Sequence, residues 1–586
     1  MTKRNAKTPT EQFIQSNSKW VRVIAGPGTG KSFCLKKRLE HLVNHEGIQP
    51  EKILVLTFTS VAAQDLKQDI QALHLGNIEV STLHSLALKL LVREKRDIRL
   101  MLDFEVNTML RDLEPEIGKY RKKDAMLKQY ASKGGHTART DEEKKFEVSL
   151  NNWLKQHRGF ILDDLIPHMC RYLDNNNAAR KRLSYDRVLV DEYQDLNPNE
   201  QKFVELLTAG RGKLTVIGDD DQSIYEFKGA SPDGIREFAA KHPGCEDIRF
   251  MECRRCPSSV VKMANRLIEN NKNRIEKEFT AFPNNQEGYY ELITCLTPEE
   301  EIDKLCKKIQ NESGNLRLGE IVVLTPTKAR GRKLYDALQK VNVPAELCFR
   351  SAMFDSKTIR ENISLLSLAA YPDDLISWRY LLGGEKGTRH ATSYRYIRNY
   401  AKKEKCGILE VLEGCDSGKL KIPYTYALAK RYKEIKAQLE PIKENPKELL
   451  NQLGSGERQY AEILDKAIAA EWSSGGFPGI RRALLDEVFS PEAYAMSDRV
   501  RIMSLHAAKG LSAGMVIIMS AVEDLIPLEG KGSVEEQRRL FYVAITRCKG
   551  SATGKYPGKL VVSAFTSSED GNKEYSLTRF VREMGL

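Results

Sequence analysis

A β-branched run that ends in a glycine-rich turn and a Lys-Ser pair restricts this chain more than any other feature. The segment reads Val21-Arg22-Val23-Ile24-Ala25-Gly26-Pro27-Gly28-Thr29-Gly30-Lys31-Ser32, and a helical pattern follows from Phe33 to Val43. Glycines let backbone N–H groups turn inward around a polyphosphate, and the helix N-terminus adds the positive end of its dipole. Lys31 would then reach the β- and γ-phosphates of ATP, and the Ser32 hydroxyl would hold Mg²⁺. The pattern ordinarily begins with Gly, and Ala25 stands at that position. A chance Gly-rich turn is the bland alternative. The strand before, the helix after and the terminal Lys-Ser weigh against it.

Nucleotide hydrolysis also needs a metal-holding carboxylate at a strand end. Arg187-Val188-Leu189-Val190-Asp191-Glu192-Tyr193-Gln194-Asp195 supplies one. Its apolar run reads as a buried parallel strand. Asp191 would sit at the C-terminal end, where α/β sheets place their ligands. Glu192 is suited to orient and deprotonate the attacking water. A third run, Lys213 to Gly218, ends in Asp219-Asp220-Asp221-Gln222-Ser223-Ile224-Tyr225. Three adjacent carboxylates repel unless cations or hydrogen-bond donors stand near them.

Composition narrows the class further. The 586 residues suggest about four domains. Hydrophobic residues make up 41% and charged residues 29%, which argues against wholesale disorder. The net charge of +12 fits a nucleic-acid partner. No apolar stretch approaches the roughly 18 residues of a membrane span, and no apolar signal core follows the basic N-terminus. The eleven cysteines are scattered and odd in number, so reduced thiols in the cytoplasm are expected. Cys253-Arg254-Arg255-Cys256 has no second CxxC, short of the four ligands a zinc or iron–sulfur site needs.

Seven segments, in order from Thr10 to about Lys549, resemble superfamily 1 helicases of the UvrD/Rep/PcrA type. They are Thr10-Glu11-Gln12 with the phosphate loop, Ile53 to Ala63, Ser81-Thr82-Leu83-His84-Ser85, Asp191 to Asp195, Gly218 to Tyr225, Leu505-His506-Ala507-Ala508-Lys509-Gly510-Leu511, and Arg538 to Arg547. The resemblance implies an α/β fold of two RecA-like P-loop parallel-sheet lobes, each with an inserted, mainly helical domain. The first lobe is expected over 1–92 and 185–248, with a helical insertion at 93–184. The second is expected over 249–355 and 491–586, with a short helical insertion at 356–490. In the first insertion, Lys and Arg cluster around Lys119 to Lys145, and Ser132-Lys133-Gly134-Gly135-His136-Thr137 reads as a loop.

By the same resemblance, Gln12 reads adenine, and Ala25, Gly26, Pro27, Gly28, Thr29, Gly30, Lys31, Ser32 and Gly510 lie on the nucleotide. Lys31, Asp191, Glu192 and the sensor-like Gln222 come from the first lobe. Arg255 and Arg547 come from the second and face the γ-phosphate, where an arginine stabilises transition-state charge. Phe58, Tyr225 and Phe227 are expected to stack on DNA bases, which is sequence-blind. Thr57, His84, His506, Lys228 and Lys509 complete the expected strand contacts. The implied function is an ATP-dependent DNA helicase or single-strand translocase of 3′ to 5′ polarity. From another class comes a DNA-sensing ATPase that regulates a partner such as a nuclease, as in compact UvrD-like proteins of anti-phage defence. A plain nucleotide-binding structural protein fits less well, because Glu192 and both arginines are present. The tail expected after Arg547 ends in a helix over Ser576 to Met584, too short for a nuclease domain of its own. RNA in place of DNA stays open.

Three departures from the family pattern matter. Relatives carry a basic residue after the loop Ser/Thr and a tyrosine before the arginine of the fourth motif; here these are Phe33 and Arg254. The usual Glu after Lys-Gly-Leu is Ser512, which alters the expected ribose contact. The usual Trp-Arg after the third motif is Phe227-Lys228, which keeps a stacking ring but loses the bidentate fork. The first departure predicts that Phe33 and Arg254 sandwich adenine with sides exchanged. Phe33→Ala should therefore weaken ATP binding in a nucleotide titration, and an unchanged affinity would refute the clamp.

Overall fold

The structure is a computed structural model, and it describes residues 7–94, 99–118, 123, 125–127, 130, 140–208, 212–349, 353–384, 387–489, 498–528, 530, 532–550 and 556–585. The loop read at Ser132 to Thr137 and most of the basic stretch before residue 140 lie outside these residues, as does the side chain of Lys228. The chain falls into two compact units. One joins 1–85, 173–349 and 491–586; the other joins 86–172 and 350–490.

The first unit holds two all-parallel sheets of six strands each. In chain order the first sheet has β1 (Trp20–Ala25), β2 (Ile53–Thr57), β3 (Glu79–Thr82), β4 (Arg187–Val190), β5 (Lys213–Gly218) and β6 (Glu246–Phe250). Its spatial order is β3-β2-β4-β5-β1-β6. The second has β7 (Tyr289–Cys295), β8 (Ile321–Thr325), β9 (Ala345–Leu347), β10 (Val500–Ser504), β11 (Met515–Ile518) and β12 (Lys559–Phe565), ordered β7-β12-β11-β8-β10-β9. Central strands such as β2 and β8 are buried along their whole length, as β-branched runs covered on both faces must be. This is the α/β architecture of two parallel-sheet lobes.

Registers bring three loops to one place. β4 pairs with β5, with Val190 opposite Val216, and β5 pairs with β1, with Gly218 opposite Ile24. The glycine loop, Asp191–Asp195 and Asp219–Gln222 therefore leave adjacent strands at their C-terminal ends. The tail helix is shorter than its pattern, Arg579–Glu583. Leu577 bridges to Val522, and Thr578 caps the helix by accepting from the Phe580 N–H, which delays its start. No helix among the described residues is long and apolar enough to cross a membrane.

The second unit is helical and draws on both inserted segments. Asp112 lies in α1 (Asp103–Ile117), Trp153 and His157 in α2 (Asp141–His157), Arg379 in α3 (Leu375–Leu381) and Tyr394 in α4 (Gly387–Glu404). The Arg379 guanidinium donates to both Asp112 oxygens at 2.6–2.9 Å and lies 4.6 Å from the Tyr394 ring centre. The Trp153 indole N–H donates to Asp112 at 3.1 Å. His157 stacks on Trp153 with centroids 3.7 Å apart, and its Nε2 is 2.8 Å from the Tyr394 hydroxyl. Burial and then Arg398 push the His157 pKa well below its usual value, so the ring is neutral. Removing one partner of a buried ion pair leaves an uncompensated charge. Arg379→Met should therefore destabilise this unit by about 3–5 kcal/mol, read as a lower urea midpoint.

Candidate functional site

The glycine loop follows β1 and opens a helix at Lys31 that runs to Asn44. Gly28 and Gly30 have φ of 69° and 86°, a region in which a side chain is strained. The helix cap, Gly30, makes no side-chain hydrogen bond to the first turn. Those first-turn N–H groups thus face outward for an anion. Gly28 also meets the second lobe, since a Cβ there would stand 2.4 Å from Cβ of Arg255. The Arg254 N–H donates to the Gly28 carbonyl at 2.8 Å.

The Lys31 ammonium donates to Glu192 Oε1 at 2.9 Å. Glu192 sits at φ 55° directly after Asp191, a left-handed turn that aims its carboxylate back at the loop. Burial pushes the Asp191 carboxyl up to about 6, with Lys31 opposing and Glu192 adding to the rise. Glu192 goes the other way: against burial, the Lys31 and Lys509 ammonium groups hold it well below the usual carboxylate range. Environment thus shifts two neighbouring carboxyl groups in opposite directions. Gln194 links this pair to the next loop. Its Nε2 donates to Glu192 Oε2 at 2.6 Å and its Oε1 accepts from the Asp219 N–H at 3.1 Å. Gly218 makes room, because a Cβ there would lie 2.2 Å from Gln194 Oε1.

The three adjacent aspartates are buried and answered by cations. The Lys277 ammonium lies 3.2 Å from Asp219 and 2.8 Å from Asp221, and it also donates to Asp220. Arg274 donates to Asp221 at 2.6 Å, and Arg236 to Asp220 at 3.0 Å. Among the described residues these three carboxylates are the one cluster spaced to hold a metal ion. Gln222 hangs from the same turn, its Nε2 donating to Asp219 at 2.8 Å. Arg539, on the helix Val534–Ile545, donates to the Ser223 carbonyl at 2.8 Å and pairs with Glu226.

The remaining nucleotide-side candidates are spread around the loop. Arg547 is buried, and its guanidinium donates to the Val543 carbonyl at 2.8 Å and the Leu511 carbonyl at 3.3 Å. Burial and the nearby Arg255 lower its pKa to about 10. Phe33 is 58% exposed on the first helical turn. Arg254 lies 4.6 Å from the Phe282 ring centre and 3.0 Å from Glu252. Gln12 is exposed, donating to the Lys7 carbonyl at 3.1 Å, and Gly510 has φ of 86° with open space where a Cβ would be. The oxygen donors Ser32, exposed beside the loop, and Asp191, at a strand end, suit a hard cation such as Mg²⁺.

The expected strand contacts form a row of rings. Phe58 stacks on Tyr225 with centroids 4.8 Å apart, and Tyr225 is 6.1 Å from Phe227 and 6.5 Å from His506. Phe227 is 61% exposed. Phe227, His506 and Leu505 line a cleft of about 580 Å³ with Leu525, Ile526 and Leu540. Thr57 is buried, its hydroxyl donating to the Thr59 carbonyl at 3.0 Å. His84 lies 3.7 Å from Glu200, whose carboxyl burial raises to about 7. Lys509 is placed differently from a phosphate-holding lysine. Its ammonium pairs with Asp195, lies 3.7 Å from Glu192, donates to the Gln222 carbonyl at 2.7 Å and sits 5.6 Å from the Tyr225 ring centre. Burial outweighs it at Asp195, whose carboxyl rises to about 6.

Known proteins resemble this chain along most of its length. The AAA domain family matches residues 10–228, and the UvrD-like helicase C-terminal domain family matches 248–471 and 481–552. The ATP-dependent DNA helicase Rep of Buchnera aphidicola subsp. Acyrthosiphon pisum (strain APS) is 25% identical over 90% of this chain and 91% of its own. The ATP-dependent DNA helicase PcrA of Staphylococcus aureus (strain MRSA252) is 26% identical over 92% of this chain and 82% of its own. PcrA of Leuconostoc citreum is 25% identical over 92% and 80%.

Sequence reasoning passed over Gln194, Arg274, Lys277 and Arg539 as site residues. Gln194 lies inside a recognised motif, but its two-sided bond depends on the pairing of β4 with β5. Arg274 and Lys277 lie outside every motif, and only tertiary contact reveals them. The bridge made by Gln194 carries a direct consequence. On the expectation that Glu192 activates the attacking water, Gln194→Ala should lower the rate of ATP hydrolysis by about 10- to 100-fold while changing KM less, because a small misplacement of a reacting group is costly. Steady-state ATPase kinetics read this.

Proposed function

This chain belongs to the UvrD-like helicase family, and from that premise we propose that it is an ATP-dependent DNA helicase that moves 3′ to 5′ on single-stranded DNA. The moving bodies in this reading are the lobe over 1–92 and 185–248 and the lobe over 249–355 and 491–586. Lys31 and the first-turn N–H groups bind the phosphates, and Glu192 takes the proton of the attacking water. Ser32 and Asp191 would hold Mg²⁺, which when bound offsets charge on the phosphates. Gln222 senses the γ-phosphate. Arg255 and Arg547 supply positive charge from the second lobe, so closure of the lobes accompanies turnover. Arg547 must then leave its backbone acceptors, Val543 and Leu511, to reach the nucleotide.

The observation that carries the reading is the placement of Lys509. One buried ammonium touches Glu192 and Asp195 on the nucleotide side and lies against the Tyr225 ring of the aromatic row. A change of charge at the nucleotide is thereby felt at rings suited to stack on bases. Phe58, Tyr225 and Phe227 are the proposed base platform, and Thr57, His84, Lys228 and His506 are the proposed contacts to the strand.

Two measurements test the reading. Lys31→Ala and Arg547→Ala should each abolish single-strand-stimulated ATP hydrolysis, with ATP binding weakened more by the first, since Arg547 acts on the transition state. Wild-type turnover in either would overturn the site. Strand separation should occur on a duplex with a 3′ single-stranded tail and fail on one with a 5′ tail. ATPase without strand separation would favour a DNA-sensing ATPase acting through a partner such as a nuclease.

A further inference from the structure

The second inserted segment exposes aromatic rings that its own packing does not need. Tyr424 is 77% exposed and Tyr426 82%, while Tyr396 is 36% exposed. Tyr396 and Tyr424 lie with ring centroids 5.9 Å apart and 31° between planes. Tyr424 also holds φ of 63°, a region costly for a side chain, although its ring is in solvent. Exposed rings of this size are a solubility liability unless something covers them.

Charge indicates what covers them. Residues 391–436 contain eleven Lys or Arg against five Asp or Glu. Tyr426, Lys430 and Lys433 occur at i, i+4 and i+7 of the helix Tyr426–Glu444, so they share one face, and all three are exposed. Lys419 and Lys421, also exposed, precede Tyr424 in the adjoining loop. Protein–protein interfaces are rich in tyrosine but depleted in lysine. Rings interleaved with lysines instead match single-stranded nucleic acid, whose unpaired bases stack on rings while ammonium groups follow the phosphates. In a duplex the base faces are already stacked and offer the rings nothing.

We propose that Tyr396, Tyr424 and Tyr426, with Lys430 and Lys433, form a second binding site for single-stranded nucleic acid, separate from the aromatic row of the motor lobes. It stands on its own residues in the other unit, so it holds whether or not the chain unwinds DNA. Stacking makes it sequence-blind, and the lysines make it salt-sensitive.

The test uses the full chain and a thymidine oligonucleotide carrying 5-iododeoxyuridine, cross-linked by long-wavelength light and mapped by mass spectrometry. Cross-links are expected on peptides containing Tyr396, Tyr424 or Tyr426, and they should persist in Phe227→Ala, which perturbs only the motor row. In that Phe227→Ala background, adding Y424A and Y426A should weaken oligothymidine binding roughly tenfold in fluorescence anisotropy. Adding K430E and K433E instead should flatten the salt dependence by about 1.4 in log–log slope, about 0.7 for each lost phosphate contact. Because these side chains are exposed, the variants keep the fold. Cross-links confined to residues 7–349 and 498–585 would overturn the proposal. So would tyrosine cross-links displaced by blunt duplex better than by oligothymidine, or unchanged affinity in the tyrosine variant.

Discussion

Six carboxyl groups crowd the ends of two adjacent parallel strands, and the first unit is organised around neutralising them. Asp191, Glu192 and Asp195 follow β4, while Asp219, Asp220 and Asp221 follow β5. Ionised together and buried, such a set would be strongly self-repelling. Arg236 answers Asp220 from nearby, and the other cations come from farther along the chain: Lys31 from the glycine loop, Arg274 and Lys277 after the first sheet, and Lys509 after β10. Ion pairs thus join a loop of the second sheet to the carboxyl groups that follow β4 and β5.

This arrangement also joins two chemistries. Lys509 answers Asp195 and Glu192 and lies against Tyr225, the middle ring of the row from Phe58 to Phe227. Arg539 donates to the Ser223 carbonyl and Lys277 pairs with Asp219, so both hold the turn that carries Gln222 and Tyr225. In the proposed function, a ligand that changes the charge near Glu192 acts on these contacts, and Lys509 lies against the Tyr225 ring.

The helical unit follows another logic. Its two segments are separated by the 177 residues 173–349, yet Arg379 and Tyr394 from one meet Asp112, Trp153 and His157 from the other in a buried, hydrogen-bonded cluster. In sequence these read as ordinary helical residues. Periodicity reports that a helix has a buried face, but not which distant helix supplies the partner.

The motor strands were legible because fully buried parallel strands demand β-branched runs, and the loops after them because phosphate and metal chemistry demands glycine, lysine, serine and acid at set positions. Val21 to Ser32, Asp191-Glu192 and Asp219 to Gln222 could be read for that reason. The partners of those groups could not. That Lys277 stands among three aspartates, that Gln194 bridges two loops, and that Lys509 turns toward Asp195 are outcomes of strand pairing and lobe packing. Local sequence determined which groups the site contains, since backbone geometry and ligand chemistry act over a few residues. Tertiary structure alone decided how their charges are balanced, since Coulomb partners are chosen by distance in space and not along the chain.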